Sequence, residues 1–177
     1  MEVRTLRMAH DFRLPHARLP DVADRPWPVG ISVLPWLSRH RTAARGGALD
    51  VLLVEDDMSI ADMYRVQLEY DGYNVTLVRT GQAALNAMAG ARPHIILLDL
   101  LLPDRSGLEV MLELKQSFPD HPPVVILSNY GEPAMIERGV ALGAVEYLVK
   151  SRVTPEFVSR SIPEWVERGR SEPPKQH

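Results

Sequence analysis

Residues 49–169 predict an α/β domain built on a parallel sheet with helices on both faces. Three features lead there. Short apolar runs alternate with stretches of helical periodicity, giving five strand–helix pairs in about 120 residues. The most apolar runs are continuous, as strands of a parallel sheet are when both faces are covered. Capping, glycine and proline signals punctuate the helical stretches.

The elements follow in order. DVLLVEDD (50–57) is an apolar run that ends in acids. The next stretch, 59–72, places Ile60, Met63, Tyr64 and Leu68 at helical spacing and stops at Gly72. NVTLVR (74–79) is a short strand rich in β-branched residues, and 80–90 opens on a Thr80 cap and closes on glycine. HIILLDL (94–100) is the third strand. The helix at 106–118 carries Leu108, Met111, Leu112 and Leu114 and stops before Pro119. PVVILS (123–128) is a strand, 132–143 a helix and VEYLVK (145–150) the last strand. A final helix over 154–169 begins with Thr154 as cap and Pro155 at its first position.

Composition narrows the class further. With 177 residues, 45% hydrophobic and 24% charged, the chain suits one soluble domain of ordinary size plus an additional segment. It has no cysteine, which excludes disulfides and thiolate metal sites and suits a reducing compartment. No apolar stretch approaches the roughly 18 residues that span a bilayer, so a cytoplasmic protein without membrane association is expected.

Residues 1–47 differ in character. They carry eight arginines against four acids, whereas the remainder of the chain is net acidic. Five prolines and no sustained periodicity predict an irregular or disordered extension, in which Trp27 and Trp36 are candidate docking anchors. The arginines are dispersed among acids, so the segment does not read as a nucleic-acid arm.

One residue contradicts its surroundings. In 95–102 every residue is aliphatic except Asp99. An ionised carboxylate buried without partners costs several kcal/mol, against a domain stability of about 5–15 kcal/mol. Open α/β sheets gather their chemistry at the C-terminal ends of the strands. Those ends carry Glu55, Asp56 and Asp57 after the first strand, Asp99 after the third, Ser128 after the fourth and Lys150 after the fifth. Oxygen ligands in that number suit a hard cation such as Mg²⁺. Asp99 therefore tolerates its position as part of a cation site that Lys150 helps to neutralise. Asp57 reads as a helix-capping acid rather than a ligand, and Asp104 and Arg105 read as turn residues.

Taken together, VEDD (54–57), Asp99 followed by Pro103 and Gly107, Ser128 after VVIL, and Tyr147 three residues before Lys150 resemble the response-regulator receiver domain of two-component signalling. The resemblance covers residues 49–169 and is to the stand-alone, chemotaxis-regulator-like form. It implies a flavodoxin-like doubly wound sheet in the order 2-1-3-4-5. It also implies that Asp99 is the phosphoacceptor, taking a phosphoryl group from a sensor histidine kinase or phosphotransfer protein. Glu55, Asp56, Asp99 and the backbone carbonyl of Leu101 would hold Mg²⁺. Ser128 and Lys150 would each contact a phosphoryl oxygen. Tyr147 is either an aromatic switch or simply a half-buried strand residue. The protein would catalyse only its own phosphorylation and dephosphorylation and would otherwise not be an enzyme.

Departures from the family pattern carry their own expectations. Ser151 replaces the usual proline after Lys150, so the Lys150–Ser151 bond should be trans, because a cis bond before a non-proline residue costs about 2.5–4 kcal/mol. Asn129 stands where a small residue is usual. Pro163 should kink or break the last helix. A non-phosphorylated pseudo-receiver is the main alternative. A haloacid-dehalogenase-like phosphohydrolase is disfavoured, because Leu101 stands where that family has a second aspartate. With only the polar tail 171–177 after the domain at 48–170, no output module is expected. Signalling should then run through a downstream protein target, with the last helix as a candidate homodimer face and no role for nucleic acid.

Overall fold

The computed structural model describes residues 47–90 and 92–171. The extension, including Trp27 and Trp36, lies outside them except for Gly47, as does the tail beyond Ser171. The expected alternation is present throughout. The elements are β1 (Asp50–Val54), α1 (Met58–Tyr70), β2 (Asn74–Val78), α2 (Gly81–Gly90), β3 (Ile95–Asp99), α3 (Gly107–Ser117), β4 (Val124–Ser128), α4 (Pro133–Ala141), β5 (Glu146–Val149) and α5 (Pro155–Ser171). A 3₁₀ turn over Lys150–Arg152 joins β5 to α5.

All four strand pairings are parallel, and the order is β2-β1-β3-β4-β5. This is the flavodoxin-like, doubly wound arrangement. The central strands β3 and β4 are buried at every position, whereas the edge strands are only partly so. Alternate side chains enter opposite cores. Val51, Leu53, Ile95 and Leu97 pack with Tyr64 and Leu68 of α1 and with Val158, Ile162 and Trp165 of α5. Leu52, Val54, Ile96 and Leu98 pack against Leu85 of α2 and Met111 and Leu114 of α3. Period-two alternation on strands covered on both faces makes the runs look uniformly apolar.

The helix caps explain where the helices begin. Asp57 accepts the backbone N–H groups of Ser59 and Ile60, at 2.8 and 3.1 Å, and so caps α1 as expected. Ser106 and Glu109 form a reciprocal capping box at the start of α3. Thr80 and Thr154 accept N–H groups of Ala83 and Phe157. Asp104 does more than turn the chain. Its carboxylate accepts the N–H groups of Gly81 and Gln82, each at 2.8 Å, and those bonds hold its pKa below the usual aspartate value. Arg105 in turn pairs with Glu113 and Gln82. The loop after β3 is thereby fastened to α2 and α3.

Three expectations about the helices need correction. Met63 and Leu112 are exposed, and Ala61 and Val110 are buried in their stead. At about 100° per residue, Ala61, Tyr64 and Leu68 define the inward stripe of α1, and Met63 falls outside it. Leu112 lies at the margin of the corresponding stripe on α3. Pro163 does not break the last helix, which continues through it to Ser171. The carbonyl that proline leaves without an intrahelical donor is that of Ser159, four residues earlier. The Tyr73 hydroxyl donates to that carbonyl at 2.9 Å, and Ser159 Oγ donates to Asp71. A side chain from the α1–β2 turn thus replaces the missing rung.

Among the described residues no peptide bond is cis, so Lys150–Ser151 is trans. No helix among them is long and apolar enough to cross a membrane.

Candidate functional site at the C-terminal ends of the strands

The first two acids of the rim stand where β1 ends. Glu55 continues the strand direction, its N–H donating to Val78 O at 3.1 Å, and is 1% exposed. Asp56 is half-buried, and its backbone carbonyl accepts from the Arg79 guanidinium at 2.8 Å. Arg79 was not singled out by its spacing; only its place just after β2 hints at a role in fixing this turn.

Asp99 ends β3 and is 5% exposed. Its Oδ1 accepts the Leu100 N–H at 2.7 Å and its Oδ2 lies 3.0 Å from Lys150 Nζ. Lys150 also donates to Glu55 Oε2 at 2.5 Å. One buried ammonium therefore serves two buried carboxylates, and the trans bond that follows Lys150 does not draw it away. The α3 backbone comes close beneath. A Cβ placed on Gly107 would lie 2.3 Å from the Asp99 carbonyl oxygen, so only glycine permits this approach.

Beyond their ladder, the fourth and fifth strands are also connected through the backbone of Tyr130. Ser128 is fully buried and its Oγ accepts the Tyr130 N–H at 3.1 Å. The Tyr130 carbonyl accepts from the Tyr147 hydroxyl at 2.8 Å. Tyr147 is 8% exposed, more buried than a half-buried strand aromatic. Its ring packs on α4 at Gly139, where a Cβ would come within 3.0 Å of the ring and 2.6 Å of Ile126. Tyr130 and Gly139 carry no sequence signal of this role. Asn129 is exposed, and so is Leu101, which forms an isolated bridge with Ser106 just beyond β3.

Charge is unbalanced here. Glu55, Asp56 and Asp99 each offer an oxygen lying within 4.8 Å of the others. Against these three acids stands Lys150, which leaves a local deficit of two positive charges. Burial pushes the Glu55 carboxyl up from its ordinary value, and Lys150 only partly pulls it back. The Asp57 backbone N–H also pulls the Glu55 pKa down, yet Glu55 Oε1 is buried and makes no protein hydrogen bond of full geometry. An orphaned carboxylate oxygen, a compact oxygen donor set and a deficit of two charges fit a divalent metal ion.

A doubly wound α/β protein with a lysine-bridged acidic rim is the class that fold and site define. Comparison makes it specific. The family model for the response regulator receiver domain matches residues 51–160, and the chain belongs to that family. It is 34% identical over 110 residues to an uncharacterized transcriptional regulatory protein of Bacillus subtilis, YkoG, covering 62% of this chain and 48% of the relative. It is 32% identical over 110 residues to the DNA-binding response regulator MtrA of Mycobacterium leprae, covering 62% and 48%. The chemotaxis response regulator CheY4 of Vibrio cholerae matches in structure with a TM-score of 0.59 at 28% identity, over 66% of this chain and 98% of that one.

The chain spans about half the length of the curated relatives it matches. These relatives overturn the expectation that nucleic acid plays no part, because they are named as transcriptional and DNA-binding regulators. The receiver alone carries no residue pattern from which that output could be read.

Proposed function

We propose that this receiver is phosphorylated on Asp99 by a phosphohistidine of a sensor histidine kinase or phosphotransfer protein in the cytoplasm. The observation that carries the reading is the placement of Asp99, buried between Lys150 and the Leu100 N–H with two further carboxylates beside it. An Asp99 oxygen attacks phosphorus, the P–N bond breaks, and the departing imidazole keeps the electron pair and takes up a proton. Lys150 compensates charge on the phosphoryl oxygens, and the Ser128 hydroxyl exchanges its bond with Tyr130 for one to the phosphoryl group. Glu55, Asp56, Asp99 and the Leu101 carbonyl would hold Mg²⁺, which supplies further neutralisation of phosphoryl charge when bound.

The backbone of Tyr130 links this event to the output face. Ser128 holds its N–H and Tyr147 its carbonyl, so release on one side loosens the other, and Tyr147 serves as the switch. Relatives named as transcriptional regulators favour an output that ends in transcriptional control. The chain's catalysis extends only to its own phosphorylation and dephosphorylation.

The test is incubation of the full chain with Mg²⁺ and a small acyl phosphate. One acid-stable, base-labile phosphoryl group is expected, absent in Asp99→Asn and largely lost in Asp56→Ala. Undiminished labelling of Asp99→Asn would falsify the assignment.

A further inference from the structure

Tyr64 is a core residue whose hydroxyl, among the described residues, finds no protein partner. It is 1% exposed, and its ring belongs to the cluster between the sheet and helices α1 and α5. A leucine would fill that space without bringing a hydroxyl into it. Among the described residues, three buried side-chain polar atoms lack a protein partner: Tyr64 Oη, Glu55 Oε1 and Arg65 Nε. Arg65 bonds Asp62 through its Nη2. Glu55 is bonded to Lys150 through its other oxygen, Oε2, whereas the Tyr64 hydroxyl is that side chain's only polar group.

Three lines bring those two atoms together. Val51 and Leu53 point into the cluster that holds Tyr64, and strand alternation puts Glu55 on the same face, one step closer to the rim. Long side chains on a helix lean back toward its N-terminus. The N-terminus of α1 begins three residues after Glu55, so that preference favours a Tyr64 phenol directed toward the acid's end of the sheet. Burial raises the phenol's pKa, and the Glu55 charge raises it further, as proximity requires.

We propose that Tyr64 is a positioning residue for the acidic rim, its hydroxyl donating to one enclosed water that in turn donates to Glu55 Oε1. Buried polar groups of this kind are commonly completed by internal water, about one per 27 residues in globular proteins. The water needs polar partners on both sides, and these two supply them. Glu55 then has both oxygens fixed, one by Lys150 and one by the water. The carboxylate is held ready for the cation site, on whose reading the second arm of the test rests.

The experiment has two arms. The first is a high-resolution crystal structure of the metal-free full chain, expected to show a water within hydrogen-bond distance of both atoms. A dry gap there, or a Tyr64 hydroxyl bonded elsewhere, overturns the inference. In the second, Mg²⁺ alone is titrated into wild type and Tyr64→Phe, which keeps the ring and removes only the hydroxyl. Binding weakened about ten-fold is expected, as when other outer partners of metal ligands are lost. In a Glu55→Gln background the same substitution should have no effect, a coupling that a purely structural ring would not produce. Equal affinity of Tyr64→Phe and wild type overturns the inference while leaving the cation site intact. Failure of wild type to bind Mg²⁺ sinks the cation site instead, and the crystallographic arm then decides the inference alone.

Discussion

At the N-terminal ends of β1 and β3, Asp50 and His94 share two hydrogen bonds between them. The Asp50 N–H donates to His94 Nδ1 at 2.9 Å and the His94 N–H donates to Asp50 O at 2.7 Å. Asn74 completes the group by donating to the Asp50 carboxylate at 2.8 Å. These side chains are 34% and 50% exposed for His94 and Asp50, so water screens whatever charge they carry. At the C-terminal ends of the same two strands, Glu55 and Asp99 have side chains that are 1% and 6% exposed, and they share one ammonium. Both ends are polar, yet only one is short of partners. Even the cleft lined by Asp50, Thr76 and Arg92 lies at the satisfied end. Unbalanced burial, rather than polarity or cavity shape, distinguishes the end proposed to accept the phosphoryl group.

That contrast breaks most visibly at Lys150. Lys150→Met leaves Glu55 and Asp99 buried without their shared cation, and removing one partner from such a group costs about 3–5 kcal/mol. Urea unfolding in metal-free buffer should show a loss of that size. A loss within error would mean that the acids are well solvated.

A smaller effect, of opposite sign, is expected at Glu55. Its carboxyl is held above the ordinary value of 4.5, so the folded chain binds that proton more tightly than the unfolded chain does. The stability Glu55 contributes is complete below pH 4.5 and is lost as pH rises through the folded value. Glu55→Gln escapes that loss and can still accept from Lys150. Metal-free Glu55→Gln should melt about 4 °C above wild type at pH 7, and the advantage should vanish near pH 4. Excess Mg²⁺ should reverse the ranking at pH 7, because the ion stabilises the chain that binds it better.

The least effect belongs to the other end. His94→Gln should change stability by only about 0.5 kcal/mol and leave phosphoryl labelling untouched. Labelling lost on that substitution would show that the two ends are coupled and would dissolve the distinction.

Legibility in the sequence follows the same physics. The strands and the rim could be read because Asp99 violates an otherwise aliphatic run, and such a violation has few explanations. Helix faces were harder. Met63 and Leu112 fit a loose helical spacing, and only packing selects Ala61 and Val110 over them. The Tyr64 hydroxyl was hidden because the residue sits at a position that any large apolar side chain would occupy. Gly139 and Tyr130 act through the ring and hydroxyl of Tyr147, which are distant in sequence. The continuity of α5 through Pro163 was hidden for the same reason: the lost hydrogen bond is local, while its replacement comes from a residue 86 positions away from its acceptor.

The replacement changes the mechanics of the last helix. Twelve residues before its end, at Ser159, the α5 carbonyl is bonded not by the helix's own backbone but by the Tyr73 phenol. The helix can flex there without breaking an internal bond, and any flexure pulls on the turn between α1 and β2. Ser159 doubles the attachment through Asp71, the residue that closes α1. A load applied to the first half of α5 is therefore carried to the foot of α1, on the same side of the sheet as Glu55. The first and last helices of the domain are yoked at a hinge point that proline created.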